Sequence, residues 1–328
     1  MKLNSPTINF KGYAAAPLKA VFLESSTCEP IEKEMKQIAK QEGFEIRYAY
    51  DYIKWAQDFK TIIEQGKTPY VIGNCRVDEG FYENIEKMYG IKKLETKTFC
   101  TGGNSFIGKY PNGEKWMLVG EDEIRKNKTK KDIAKQYGIK EENIFSVPQQ
   151  NFHIDMFLRP LEYPYILVDD PKLVERQIDR LERAGHLYDY INLRRNFKYY
   201  TQSQQQNWAC ANETIKALVK AGFKPIRIAG VYNAGINFMN AIVNKHEDGT
   251  ISYITNSTKC ENEFISNIQK AFEEELREKA PNIDKVYFVC GNKDYITYDS
   301  NYIMDDLGIR NGGIHCMTLE EPNFSTWI

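Results

Sequence analysis

The sequence predicts an α/β protein built from repeated modules, on three observations. A polar helix, a glycine or proline stop and a short β-rich run recur along the chain, and two of the stops read alike, Tyr89-Gly90-Ile91-Lys92 and Tyr137-Gly138-Ile139-Lys140. Glycine accepts the left-handed backbone at a helix end, and β-branched or aromatic residues after it favour a strand. Two tight-turn signals, Pro111-Asn112-Gly113 and Glu247-Asp248-Gly249, sit between runs of strand-forming residues and predict hairpins. The helical stretches are amphipathic: over 261–280, Phe264, Ile265, Ile268, Ala271, Phe272 and Leu276 form one stripe among Glu and Lys.

In chain order, the first unit ends at Gly43 and leads into Phe44-Glu45-Ile46-Arg47-Tyr48. The second ends at Gly90 and points to a strand at Lys97-Thr98-Phe99, and the third ends at Gly138 before Asn143–Val147. Between these two, Ser105–Tyr110 and Lys115–Val119 form the first expected hairpin. A fourth unit runs through Ala221-Gly222-Phe223 into Pro225–Ile228, and a fifth through Ala280-Pro281 into Lys285–Val289. The second hairpin joins Asn240–Asn244 to Ile251–Thr255. Nothing low in complexity and no Pro/Ser-rich break divides the chain, so residues 1–328 are expected to form one domain. A doubly wound α/β sheet alternates helix and strand in the same way, and spacing alone does not separate the two architectures.

Composition bounds the partners. Across 328 residues, 44 Lys+Arg face 45 Asp+Glu for a net charge of −1, without the basic footprint of a nucleic-acid binder. Hydrophobic residues make up 42% and charged residues 27%, so the chain can bury a core, and no apolar run is long enough to cross a bilayer. The first residues lack the apolar stretch of a secretion signal, and the seven cysteines are scattered with no Cys-x-x-Cys pair. Reduced thiols in the cytoplasm are the expectation, with neither a disulfide framework nor a cysteine-based zinc site.

Two segments carry chemistry. Asn151-Phe152-His153-Ile154-Asp155-Met156-Phe157-Leu158 alternates like a strand, which puts His153 and Asp155 on one face and Ile154, Met156 and Leu158 on the other. Such a pair lines a pocket or is a satisfied surface pair. Asn311-Gly312-Gly313-Ile314-His315-Cys316-Met317-Thr318 joins two glycines, which permit close backbone approach, to a histidine and a cysteine. Cysteine is a nucleophile only as its thiolate, so it wants a cationic neighbour or substrate. The bland reading is a glycine turn before a buried structural cysteine. In an extended chain His315 and Cys316 would face opposite ways, which argues against one shared metal ion.

Together the two segments resemble the guanidino-group-modifying enzymes: agmatine, peptidylarginine and arginine deiminases and the amidinotransferases. His153-Ile154-Asp155-Met156-Phe157 and Gly312-Gly313-Ile314-His315-Cys316-Met317-Thr318 are most similar to the agmatine and peptidylarginine deiminase branch. Thr101-Gly102-Gly103-Asn104 resembles that family's acid-Gly-Gly segment, with threonine where many relatives place the acid. The resemblance implies a five-bladed pseudosymmetric α/β propeller and a cysteine-dependent hydrolase that needs no metal or organic cofactor. Cys316 would attack the guanidinium carbon, and His153 would serve as acid and then base. Asp155 would grip the substrate, with Asp78 as a second carboxylate. Asn104, Gly313, His315 and Asn237 would line the substrate site, with Asn240 nearby as a further candidate to shape it. The implied partner is a small agmatine- or arginine-like guanidine or a peptidyl-arginine. An amidinotransferase and a catalytically silent binding relative are the alternatives, and a Cys316/His153 peptidase dyad is a third.

Overall fold

The structure is a computed structural model that describes residues 8–9, 13–24, 27, 29–49, 60–65, 68–74, 77–125, 128–149, 153–185, 205–233, 236–256, 263–289 and 313–327. Five small sheets share one plan: two antiparallel strands, then a helical crossover, then a third strand parallel to the second. Blade 1 is made from both ends of the chain. Its first strand is Thr318–Pro322, antiparallel to Leu18–Glu24, which is parallel to Glu45–Ala49 after the helix Glu29–Glu42. Blade 2 has Lys60–Gln65, Thr68–Gly73 and Lys92–Lys93 around the helix Glu79–Tyr89, with Ile8–Asn9 added beside Lys60–Gln65. Blade 3 has Ser105–Lys109, Lys115–Gly120 and Ile144–Val147. Blade 4 has Leu158–Pro160, Tyr165–Asp169 and Lys224–Ile228, and blade 5 has Ile242–Lys245, Ile251–Asn256 and Ile283–Val289.

The core closes these blades into a ring. Alternate residues of a strand point to opposite faces, and here each face packs on a different neighbour. In blade 1, Ala20, Phe22 and Leu319 pack with Ile62 and Val71 of blade 2, whereas Val21 and Leu23 pack with Ile242 and Ile254 of blade 5. Ile63 and Ile72 join blade 2 to Ile107 and Met117 of blade 3. Phe106 and Leu118 join blade 3 to Ile166 and Val168 of blade 4, and Leu167 joins blade 4 to Val243 and Tyr253 of blade 5. Five interfaces join five blades, so the architecture is the five-bladed α/β propeller and the doubly wound alternative falls. The third strands form the outer edge: Lys92–Lys93 is exposed, while Lys115–Gly120 and Ile251–Asn256 are buried throughout.

Both hairpins form, and Gly113 and Gly249 take the positive φ that their turns require. The two Tyr-Gly-Ile stops are equivalent caps, with Gly90 and Gly138 left-handed at φ 69° and 57° and Ile91 and Ile139 buried beneath them. Three local expectations need correction. The strand after Gly90 is Lys92–Lys93 rather than 97–99. Ile154–Met156 is a 3-10 turn, with the strand starting only at Leu158, and Ile314–Met317 is one helical turn before the strand Thr318–Pro322. Alternating apolar residues suit a 3-10 turn entering a sheet as well as they suit a strand, so periodicity over so few residues misplaces the boundary.

Candidate active site

Propeller symmetry decides where the chemistry meets. The segments that lead into the first strands of blades 3, 4, 5 and 1 are Gly102–Asn104, His153–Phe157, 237–241 and Gly313–Met317. The first strands run in equivalent directions, so these lead-ins gather at one end of the ring. Residues far apart in sequence thereby come within hydrogen-bond reach.

Asp155 is the centre of the cluster and is fully buried. Its Oδ2 accepts from Asn240 Nδ2 at 2.8 Å and from the Cys316 thiol at 3.2 Å, and it lies 2.8 Å from His315 Nδ1. Donor atoms of His153, Asp155 and Cys316 all lie within 4.8 Å of one another. His153 and Asp155 come together as expected, but in a 3-10 turn rather than by strand alternation, with Ile154 and Met156 packed in the core. Gly103 permits that packing: a Cβ there would sit 2.5 Å from His153 Nδ1 and 3.1 Å from Asp155 Oδ1. The second glycine before Asn104 thus serves the histidine and the carboxylate directly.

The helical turn overturns the expectation that His315 and Cys316 diverge, since both meet the same Asp155 oxygen. His315 is fully buried behind that carboxylate, where it supports Asp155 rather than lining an open substrate surface. Phe106 stacks on its ring at 5.6 Å between centroids, and the Arg159 guanidinium lies over the Phe106 ring, 5.2 Å from its centre. Burial is the main reason the His315 imidazole is held well below its ordinary range, with Arg159 and His153 adding to it. His315 is therefore neutral, and its Nδ1–H donates to Asp155, a tautomer set by the carboxylate. Behind it, Glu320 accepts from Tyr13 N at 3.0 Å and from Arg159 Nη2 at 3.4 Å, and burial raises its carboxyl against the pull of Arg159.

The remaining expected residues fall into two groups. Gly313 lies against Asn240 and Asn256, where a Cβ would overlap both side chains. Asn237 is buried and structural: its Nδ2 donates to the Met156 carbonyl at 3.0 Å, and its Oδ1 accepts from Met239 N at 2.8 Å. Asn104 is buried one step from the cluster, with Nδ2 on Glu123 Oε1 at 3.2 Å and on Gln149 Oε1 at 3.3 Å. Asp78 is exposed and caps the helix Glu79–Tyr89, its Oδ1 accepting from Gly80 N at 2.5 Å and from Phe81 N at 3.4 Å. It is not among the residues whose donor atoms cluster with Cys316. Asn240, outside the principal sequence-level assignments, makes more contacts to the cluster than Asn237 or Asn104.

An imidazole, a carboxylate and a thiol could hold a zinc-like ion. Here, however, the Asp155 oxygen facing the sulfur is already engaged by three hydrogen-bonding groups. That arrangement suits proton transfer and the binding of a cation rich in N–H donors. Cys100 and Cys316 are in no disulfide. No helix among the described residues is long and apolar enough to cross a membrane.

No protein-family model matches the sequence, and no curated protein matches it. Solved structures do match the fold. Agmatine deiminase of C. jejuni is 14% identical with a TM-score of 0.57, the match covering 98% of both chains. A serine-for-cysteine variant of that enzyme with substrate bound gives 12% identity and a TM-score of 0.55, also over 98% of both chains. Agmatine deiminase of Enterococcus faecalis gives 12% identity and a TM-score of 0.52 over 96% of both chains. The likeness establishes the fold, the five-bladed α/β propeller of the guanidino-group-modifying enzymes.

Proposed function

We propose that this chain is a cysteine-dependent hydrolase of a small guanidino compound, acting as one catalytic unit over residues 1–328. The observation that carries the reading is the contact of Cys316 Sγ with Asp155 Oδ2 at 3.2 Å, with His153 in the same 4.8 Å cluster. A guanidinium is planar and cationic and offers paired N–H donors that match a carboxylate. Bound against Asp155, it would present its central carbon to the sulfur.

The proton inventory closes. In the resting site the thiol donates to Asp155. Guanidinium N–H groups compete for that oxygen, and the thiol proton passes to His153. The Cys316 thiolate then forms a C–S bond to the guanidinium carbon, one C–N bond breaks, and imidazolium His153 gives its proton to the departing nitrogen, which leaves as ammonia. The S-alkylthiouronium left on Cys316 keeps the substrate's positive charge. Neutral His153 takes a proton from water as the oxygen attacks. The C–S bond breaks to return the thiolate, and the product is a ureido compound, whose excess proton goes to ammonia. An amine in place of water would make the protein an amidinotransferase. Release of ammonia without added amine separates the two.

The test is a panel of free and peptidyl guanidines assayed for ammonia and ureido product, with Cys316→Ala as control. The wild type should release both products in equal amounts from at least one compound. The control should lose about 10³-fold or more, the scale of removing a catalytic nucleophile. A chloroacetamidine, a cationic alkylating mimic, should modify Cys316 ahead of the other cysteines. If no compound is turned over and Cys316 is not alkylated ahead of the other cysteines, the reading is overturned.

A further inference from the structure

We infer that Asn240 is a further catalytic residue, one carboxamide that fixes the distance between nucleophile and substrate-gripping carboxylate and donates a hydrogen bond to the sulfur as it becomes anionic. The inference rests on the proposed hydrolase reading for its chemistry, while its geometry stands independently. Every polar atom of the side chain is used. Asn240 Oδ1 accepts from the backbone amides of His315 at 3.0 Å and Cys316 at 3.3 Å, which pins the helical turn that carries the thiol. Asn240 Nδ2 donates to Asp155 Oδ2 at 2.8 Å and to Cys316 Sγ at 3.1 Å.

The main chain that carries the carboxamide is itself held. Asn256 Nδ2 donates to the backbone carbonyl of Asn240 at 3.1 Å and to that of Asn237 at 2.9 Å, and Asn256 Oδ1 accepts from Ile314 N at 2.6 Å. Gly313 has no side chain where these two asparagines approach the turn. The glycine is needed for this contact.

The two ends of the amide do different work, and chemistry can part them. A carboxylate keeps the acceptor that holds the turn but loses the donor. When protonated it regains a donor of almost the same shape. The titratable groups facing position 240 are Asp155, Cys316 and His315, with His153 on the far side of Asp155. Asn240→Asp therefore places a second buried carboxyl 2.8 Å from Asp155, so the pair shares a proton in acid and becomes doubly anionic beside the sulfur only as that proton leaves at higher pH.

The experiment reads the sulfur rather than turnover, so it survives failure of the hydrolase reading. Alkylation of Cys316 by neutral iodoacetamide is followed by peptide mass spectrometry in wild type, Asn240→Asp and Asn240→Ser, with thermal melts to confirm folding. At pH 7.5 both variants should react about 10- to 100-fold more slowly than wild type, the scale of one hydrogen bond to a charged group. The deficit of Asn240→Asp relative to wild type should grow as pH rises from 5 to 9, whereas that of Asn240→Ser should not. If the hydrolase reading also holds, kcat should fall in Asn240→Asp with much less change in KM. Folded variants that alkylate at the wild-type rate, or an Asn240→Asp deficit that does not change with pH, would overturn the inference. If Asn240→Asp does not fold, the rate of Asn240→Ser decides.

Discussion

His315 is buried without its charge, and that has a consequence for stability. The folded protein holds the imidazole well below its ordinary range, while the unfolded chain protonates it near pH 6.5. The folded-state value is depressed, so the contribution of His315 is fully present above about pH 6.5 and is lost as pH falls toward the folded value, at up to about 1.4 kcal/mol per pH unit. Two buried acids act in the opposite sense. Asp169 is pushed up to about 7 and Glu320 is also raised, both chiefly by burial, so they favour the folded state in acid and lose that contribution as pH rises. The wild-type curve alone would hide the histidine, so a difference is needed. The stability advantage of wild type over His315→Gln should shrink by about 2 kcal/mol between pH 7 and pH 5, measured by urea unfolding at each pH. A difference that stays constant across that range would show that His315 is not kept neutral.

Among the elements, the helix Glu79–Tyr89 gives Asp78 a duty that competes with its expected place in catalysis. The residue sits in extended backbone at the helix start and accepts from the amides of Gly80 and Phe81. An N-cap replaced by alanine costs about 1 kcal/mol, whereas asparagine caps as well as aspartate. Asp78→Ala should lower the unfolding midpoint, and Asp78→Asn should keep both the midpoint and turnover near wild type. A folded Asp78→Asn that loses turnover would return this carboxylate to the substrate. The cap was legible in the sequence, since an aspartate before a helix start is an N-cap signal. The hairpins and the Gly90 and Gly138 stops were legible because the turn residues dictate the backbone locally. The meeting of His153 and Asp155 was legible too, since the core claims Ile154 and Met156 in a turn as it would in a strand. Resemblance made Asn240 a candidate to shape the site, but its contact with the sulfur was not legible, because that contact exists only once blade 5 is set beside blade 1.

At the scale of the whole molecule, the ring closes through the same strand that follows Cys316. Thr318–Pro322 begins directly after the turn carrying Cys316 and pairs with Leu18–Glu24, so the two ends of the chain complete blade 1 together. Glu321 ties all three strands of that blade. Only 1% of its side chain is exposed, and its oxygens meet Lys19 on the second strand at 2.8 Å and Arg47 on the third at 2.5 Å. Arg47 is itself largely covered, lying over the rings of Phe22 and Tyr89. Glu321→Gln keeps the shape but leaves Arg47 with only the exposed Glu45 as its counter-charge. Breaking a buried pair from one side costs about 3 kcal/mol, and in a chain of this size that lowers the unfolding midpoint by roughly 4–5 °C. The active cluster draws on four blades and depends on this closure. Loss of ammonia release on heating should therefore move down by the same interval as the circular-dichroism midpoint, with turnover at low temperature little changed. An unchanged midpoint would show that the closing blade does not need the buried charge. Activity lost at a temperature where the secondary structure persists would show that the turn carrying Cys316 opens separately from the ring.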